Sequence, residues 1–138
     1  MAGVYAARGV DAWVFRGDDG LDELTTTTTS SLWVVHDGEV RTATVDPAAL
    51  GLAPATTDDL RGGDAAHNAD VVRRVLAGER GPVREAVLLN AGAALAVHDE
   101  PAADPLPALA AGIERATRAV DSGAAAATLQ GWVEASAG

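Results

Sequence analysis

Cysteine is absent from the 138-residue sequence, which excludes disulfides, thiol catalysis and cysteine zinc sites. Aromatic residues are scarce at 4%, and alanine supplies much of the 48% hydrophobic fraction. An alanine-rich chain forms helices readily but buries little area per residue, so modest stability is expected. Basic residues are also few: 10 Lys and Arg stand against 20 Asp and Glu, a net charge of -10. Such a surface repels phosphate backbones and anionic lipid, which argues against nucleic-acid and membrane partners. Long apolar runs are missing. The stretch 86–97 is interrupted by Asn90 and is too short to span a bilayer. No basic segment and apolar run follow Met1-Ala2-Gly3, so no signal peptide is expected and the cytoplasm is the default location.

What remains is an ordinary hydrophobic content and a length that suits one domain with a real core. Residues 1–8 read as a helix with Val4 and Tyr5 on its apolar side, stopped by Gly9, and residues 10–15 read as a strand. A helix, a glycine and a strand make the αβ step of an α/β fold. Asp37-Gly38, between 32–36 and 39–45, predicts a hairpin with a type I′ turn. Asp46-Pro47 opens a short turn that ends near Gly51, and Thr57-Asp58-Asp59-Leu60 caps another, stopped by Gly62-Gly63. Asp64 is the N-cap of a helix to about Ala77, and Pro82 opens one to about Val97 that is apolar nearly all round and so expected to be buried. Residues 99–107, with three prolines, read as a loop. Two further helices follow over 106–120 and 124–135.

The most site-like segment is Gly17-Asp18-Asp19-Gly20-Leu21-Asp22-Glu23-Leu24, which follows a strand. Open α/β sheets place ligands at strand C-terminal ends. Asp22 and Glu23 are adjacent carboxylates, hard oxygen donors of the kind magnesium takes in ones or twos, with water and ligand phosphates completing its shell. A solvated acidic loop is the plainer reading of the same residues. The hydroxyl run 25–31 either donates hydrogen bonds to phosphate oxygens or is a polar loop of biased composition. His36, His67 and His98 fall in three different elements without metal-ligand spacing, so surface or capping roles are expected. Asp58, Asp59 and Asp64 suit helix N-termini, and Asn90 suits a buried amide bonded to neighbouring backbone.

Asp19-Gly20-Leu21-Asp22-Glu23-Leu24, followed by the Thr/Ser run and the hairpin, resembles the anthranilate phosphoribosyltransferase family. So do Leu60-Arg61-Gly62-Gly63 with Asp64-Ala65-Ala66-His67-Asn68, then Val87-Leu88-Leu89-Asn90-Ala91, then Asp121-Ser122-Gly123. They occur in the family's order and cover nearly the whole chain. The resemblance implies the C-terminal part of the α/β domain of the nucleoside phosphorylase/phosphoribosyltransferase fold: short strands with a hairpin and several packing helices. It implies transfer of phosphoribosyl from phosphoribosyl pyrophosphate to the amine of anthranilate, with release of pyrophosphate, in tryptophan biosynthesis. It also implies Mg2+ as cofactor, with Asp22 and Glu23 as its ligands, and a homodimer of the full-length form.

The family's glycine-threonine-glycine-glycine-aspartate phosphate loop, its helical domain and its anthranilate-contacting asparagine and arginine are not in this sequence. Residues 1–138 are therefore expected to form a single partial α/β domain, too short to be the whole enzyme and inactive in isolation. The competing expectations are a non-catalytic interaction module, or one half of a two-chain enzyme whose other half carries the glycine loop.

Overall fold

Short local signals set the framework of the computed structural model, which describes residues 1–101 and 104–137. Helix α1 (Ala2–Ala7) ends where Gly9 turns left-handed (φ +64°), and the Val10 N–H closes onto the Tyr5 carbonyl. That closure takes Val10 out of the first strand, so β1 spans Ala12–Gly17, later than the β-branched pattern predicts. Strands β2 (Ser30–His36) and β3 (Glu39–Val45) follow, and the three pair antiparallel in the order β1-β2-β3. Asp37 (φ +50°) and Gly38 (φ +77°) are both left-handed, as the type I′ turn between β2 and β3 requires. All strand pairs described are antiparallel, so the end of the sheet beyond Gly17 also carries the start of β2, with Gly17 opposite Ser30.

One face of the sheet builds the core. Trp13, Leu32, Val34 and Val45 are buried with Leu89, Ala93, Ala96 and Leu109 from the helices. Leu24, from the loop between β1 and β2, is 1% exposed in the same cluster. Burial of a leucine to this degree contributes on the order of 2 kcal/mol and ties the loop to the core. On the opposite face Val14, Trp33 and Val40 meet the start of α1. The expected apolar side of α1 is only partly covered: Tyr5 is half-buried, but Val4 is 58% exposed.

Asp46 caps a 3-10 turn at Pro47–Leu50, its carboxylate accepting the Ala48 N–H at 2.9 Å, and Gly51 ends it left-handed. The next cap differs from expectation by one residue. Thr56, not Thr57, exchanges bonds with Asp59, whose carboxylate accepts from Thr56 N (2.8 Å) and Oγ1 (2.7 Å) while Asp59 N–H returns to Thr56 Oγ1.

Helix α2 (Ala65–Leu76) is capped by the Asp64 carboxylate on His67 N–H at 2.8 Å. Helix α3 (Pro82–Asp99) is buried through Leu88, Leu89, Gly92, Ala93 and Ala96, whereas Val87 is 42% exposed. The expected burial therefore holds for most of the helix, with Val87 and Ala94 the exposed positions between 83 and 97. Helix α4 (Pro105–Asp121) begins inside the predicted proline loop. Pro105 and Pro107 lie in its first turn, where the missing N–H groups have no intrahelical partner to lose. Ala102 and Ala103, in the middle of that predicted loop, lie outside the described residues. Helix α5 (Ala124–Ser136) closes the chain, and α3, α4 and α5 share a second core of Leu88, Ala116, Val120 and Ala125. Among the described residues no helix is long and apolar enough to cross a membrane.

Candidate functional site

The loop 18–29 leaves the sheet at Gly17 and returns at Ser30. Its shape is set by two aspartates that sequence reasoning left without a role. Asp19 Oδ2 accepts hydrogen bonds from Thr25 Oγ1 (2.7 Å) and Thr27 Oγ1, and its Oδ1 accepts from Leu21 N–H at 3.1 Å. Asp18 accepts from Thr29 Oγ1 and Ser31 Oγ. The phosphate-donor reading of the hydroxyl run is thereby corrected for these four residues, whose protons go to the loop's own carboxylates. The sequence carried no signal for this division, because every residue from 25 to 31 bears a hydroxyl. Gly17 is required here, since a Cβ would collide with Asp19 Oδ1 and stand 3.1 Å from Thr25 Cγ2.

Asp22 and Glu23 are placed differently. Both are exposed, and neither has a hydrogen-bond or ion-pair partner among the described residues. Their flanks are held. Leu21 is fixed by Asp19 and by Gly17 N–H, which donates to the Leu21 carbonyl at 2.9 Å. Leu24 is fixed from α3: Asn90 Oδ1 accepts Leu24 N–H at 3.0 Å, and Asn90 Nδ2 donates to Leu24 O at 2.8 Å and Ala86 O at 3.0 Å. The expectation that Asn90 bonds neighbouring backbone covers only the Ala86 bond. The two to Leu24 cross 66 positions of chain. The structure thus keeps the predicted carboxylate pair free at a sheet end while engaging its acidic neighbours.

Burial pushes the Asp19 carboxyl upward, but the hydrogen bonds from Thr27, Thr25 and Leu21 N–H outweigh it and hold the group below its ordinary value. A carboxyl depressed in the folded state adds stability above its unfolded value, and that contribution is lost as pH falls through the folded one. Asp19→Asn is therefore expected to lower stability in urea unfolding at pH 7, with the gap to the unmodified chain narrowing from about pH 4 downward. A gap that stays constant to pH 3 would contradict a charged acceptor for the loop hydroxyls.

The histidines take no part. His36 lies between Asp11 (3.0 Å) and Asp37 (3.3 Å), His98 lies beside Asp99, and His67 is in the first turn of α2. No group of three His, Cys, Asp or Glu side chains able to hold a metal occurs among the described residues. Asp22 and Glu23 therefore fit magnesium only in its usual manner, with one or two carboxylates and the remaining positions filled by water and phosphate. A cleft of about 510 Å³, lined by Arg61, His67, Asn68, Arg74 and Arg80, lies beside α2 and contains neither residue.

The glycosyl transferase family, a/b domain, matches residues 1–126. The chain belongs to that family. Among its curated relatives, the anthranilate phosphoribosyltransferase of Nocardioides sp. is 72% identical over 137 residues, covering 99% of this chain and 40% of the relative. That of Thermobifida fusca is 61% identical over 136 residues, with 99% and 39% covered. The anthranilate phosphoribosyltransferase of Thermus thermophilus superposes with a TM-score of 0.79 at 32% identity, over 97% of this chain and 38% of that one. The Saccharomyces cerevisiae enzyme in complex with PRPP and Mg shares the fold, with a TM-score of 0.77 at 20% identity over 88% and 34%. The family resemblance and the α/β fold expected from the sequence are thus borne out. The chain spans about two-fifths of the length of these curated relatives.

Proposed function

We propose that this chain supplies the metal-binding part of an anthranilate phosphoribosyltransferase, with Asp22 and Glu23 as the ligands of Mg2+. The carrying observation is the state of that pair: two exposed, unpartnered carboxylates between pinned residues at a sheet end. In the reaction the bond from the ribose carbon to the pyrophosphate oxygen breaks, and pyrophosphate leaves with the electron pair. A bond from the anthranilate nitrogen to that carbon forms, and the nitrogen loses a proton. A magnesium ion, when bound, neutralises charge developing on the departing diphosphate. Asp22 and Glu23 would hold it on a loop that Asp19 and Asn90 fix in advance. No protein nucleophile is needed.

Residues 1–138 act here as a partial α/β domain. The glycine-rich phosphate loop and the anthranilate contacts have no counterpart in the sequence, so the chain by itself is expected to make no product. Phosphoribosyl pyrophosphate, anthranilate and the homodimer belong to the full-length form. A cytoplasmic setting suits these substrates.

The test is a titration of the chain with Mn2+ as a paramagnetic substitute for magnesium. Asp22→Asn combined with Glu23→Gln is expected to weaken binding at least about 10-fold, and equal binding by both proteins would overturn the assignment. A second reading, a non-catalytic interaction module, draws on the exposure of Met1 (84%), Val4 and Val10 (44%) around α1. It is the reading left standing by that result.

A further inference from the structure

We propose that Asn90 is a positioning residue for the carboxylate pair, acting through the Leu24 backbone; the inference rests on the magnesium reading of Asp22 and Glu23. Asn90 grips both polar groups of one residue, accepting its N–H and donating to its carbonyl, as a neighbouring strand would. The amide orientation is unambiguous: Leu24 N–H can only donate, and the Leu24 and Ala86 carbonyls can only accept. The third bond, to Ala86 O one helical turn back, fixes the side chain on α3 before it reaches the loop.

The loop is therefore pinned at two points by different elements. Leu21 is held from the sheet end by Gly17 and Asp19, and Leu24 from α3 by Asn90. Only Asp22 and Glu23 lie between. The distance separating the two pins sets the backbone path available to the pair. A pair of ligands held this way loses less freedom when it closes on a cation. Leu24 adds a hydrophobic anchor at the same point, since its side chain is buried among core residues.

Few side chains can do this. Aspartate matches the shape and keeps an acceptor for Leu24 N–H, but offers no donor to Leu24 O or Ala86 O. Glutamine has both groups but carries an extra methylene that displaces them. Asn68 holds Gly63 by the same device, with Oδ1 on Gly63 N–H at 2.8 Å and Nδ2 on Gly63 O at 3.0 Å. That second clamp shapes the entry to α2, away from the acidic pair.

The test uses the full 138-residue chain, with Mn2+ as the probe and amide hydrogen exchange as an independent readout. Asn90→Ala is expected to weaken Mn2+ binding about 10-fold and to speed exchange of the Leu24 amide, while core amides such as Leu89 stay protected. Added to Asp22→Asn and Glu23→Gln, it is expected to cause no further loss, because its effect passes through those carboxylates. Asn90→Leu, close in shape and uncharged, is read in the same way if the alanine variant does not fold. A folded Asn90 variant that binds Mn2+ within about twofold of the unmodified chain overturns the positioning role alone. Equal binding by the unmodified chain and the Asp22/Glu23 double variant overturns the magnesium reading, and the positioning role with it.

Discussion

Gly112→Ala is expected to destabilise the chain by about 3 kcal/mol, even though alanine is the better helix former by about 1 kcal/mol. Helices α3 and α4 cross at Gly92 and Gly112. A Cβ on Gly112 would fall on the Gly92 carbonyl oxygen and its Cα, and a Cβ on Gly92 would stand 2.8 Å from both Ile113 N and Ile113 Cγ1. The obstructing atoms are largely backbone, so relief requires a whole helix to move, carrying Leu89, Ala93 and Leu109 out of the main core. The control is the same substitution on α5. Gly131 has nothing within 4 Å of its built Cβ, and Gly131→Ala is expected to stabilise by up to about 1 kcal/mol. Chemical denaturation of the two variants should move the midpoint in opposite directions. A small loss at Gly112, similar to a surface change, would mean that the helices do not approach so closely.

Breaking the ion pair between α3 and the end of α4 is expected to give the next largest effect. Arg84 is 4% exposed, and its Nη2 donates to Asp121 Oδ1 at 2.7 Å, while its Nη1 is buried with no partner. Removing one member of a buried pair costs about 3–5 kcal/mol because the other charge is left uncompensated. Asp121 is 44% exposed, and water moderates the penalty, so Asp121→Ala is placed at about 2 kcal/mol. Arg84→Met removes the buried charge together with its unsatisfied nitrogen and leaves Asp121 in contact with water. It is expected to cost less than about 1 kcal/mol. The order of the two variants in thermal or urea unfolding is the measurement. If Arg84→Met is the more damaging, the arginine is stabilised by contacts beyond Asp121.

These two effects show where pattern reading reaches its limit. The hairpin at Asp37-Gly38, the Asp46 and Asp64 caps and the spans of α2 and α5 were legible because a turn or cap depends on residues a few positions apart. The start of α4 was read within one residue, but the proline loop was drawn to 107 although prolines are tolerated in a first turn. In the acidic loop the carboxylates at 22 and 23 were recognisable as a candidate pair, but the division of labour among four neighbouring acids was not. Asp18 and Asp19 differ from Asp22 and Glu23 only in which hydroxyls the folded loop brings to them.

The sequence by itself determined the class of the protein, its acidic surface, its turns and caps, its family and the two carboxylates proposed as ligands. All of these depend on composition or on order over short distances. Only the tertiary structure decided that Asn90 holds Leu24, 66 positions away, and that Arg84 reaches Asp121, 37 positions away. It also decided that Gly92 and Gly112 set the spacing of α3 and α4. The physical reason is that an amide, a guanidinium or a missing Cβ has no preferred partner along the chain. Each acquires its role when packing of the sheet and helices brings one specific backbone or carboxylate within reach.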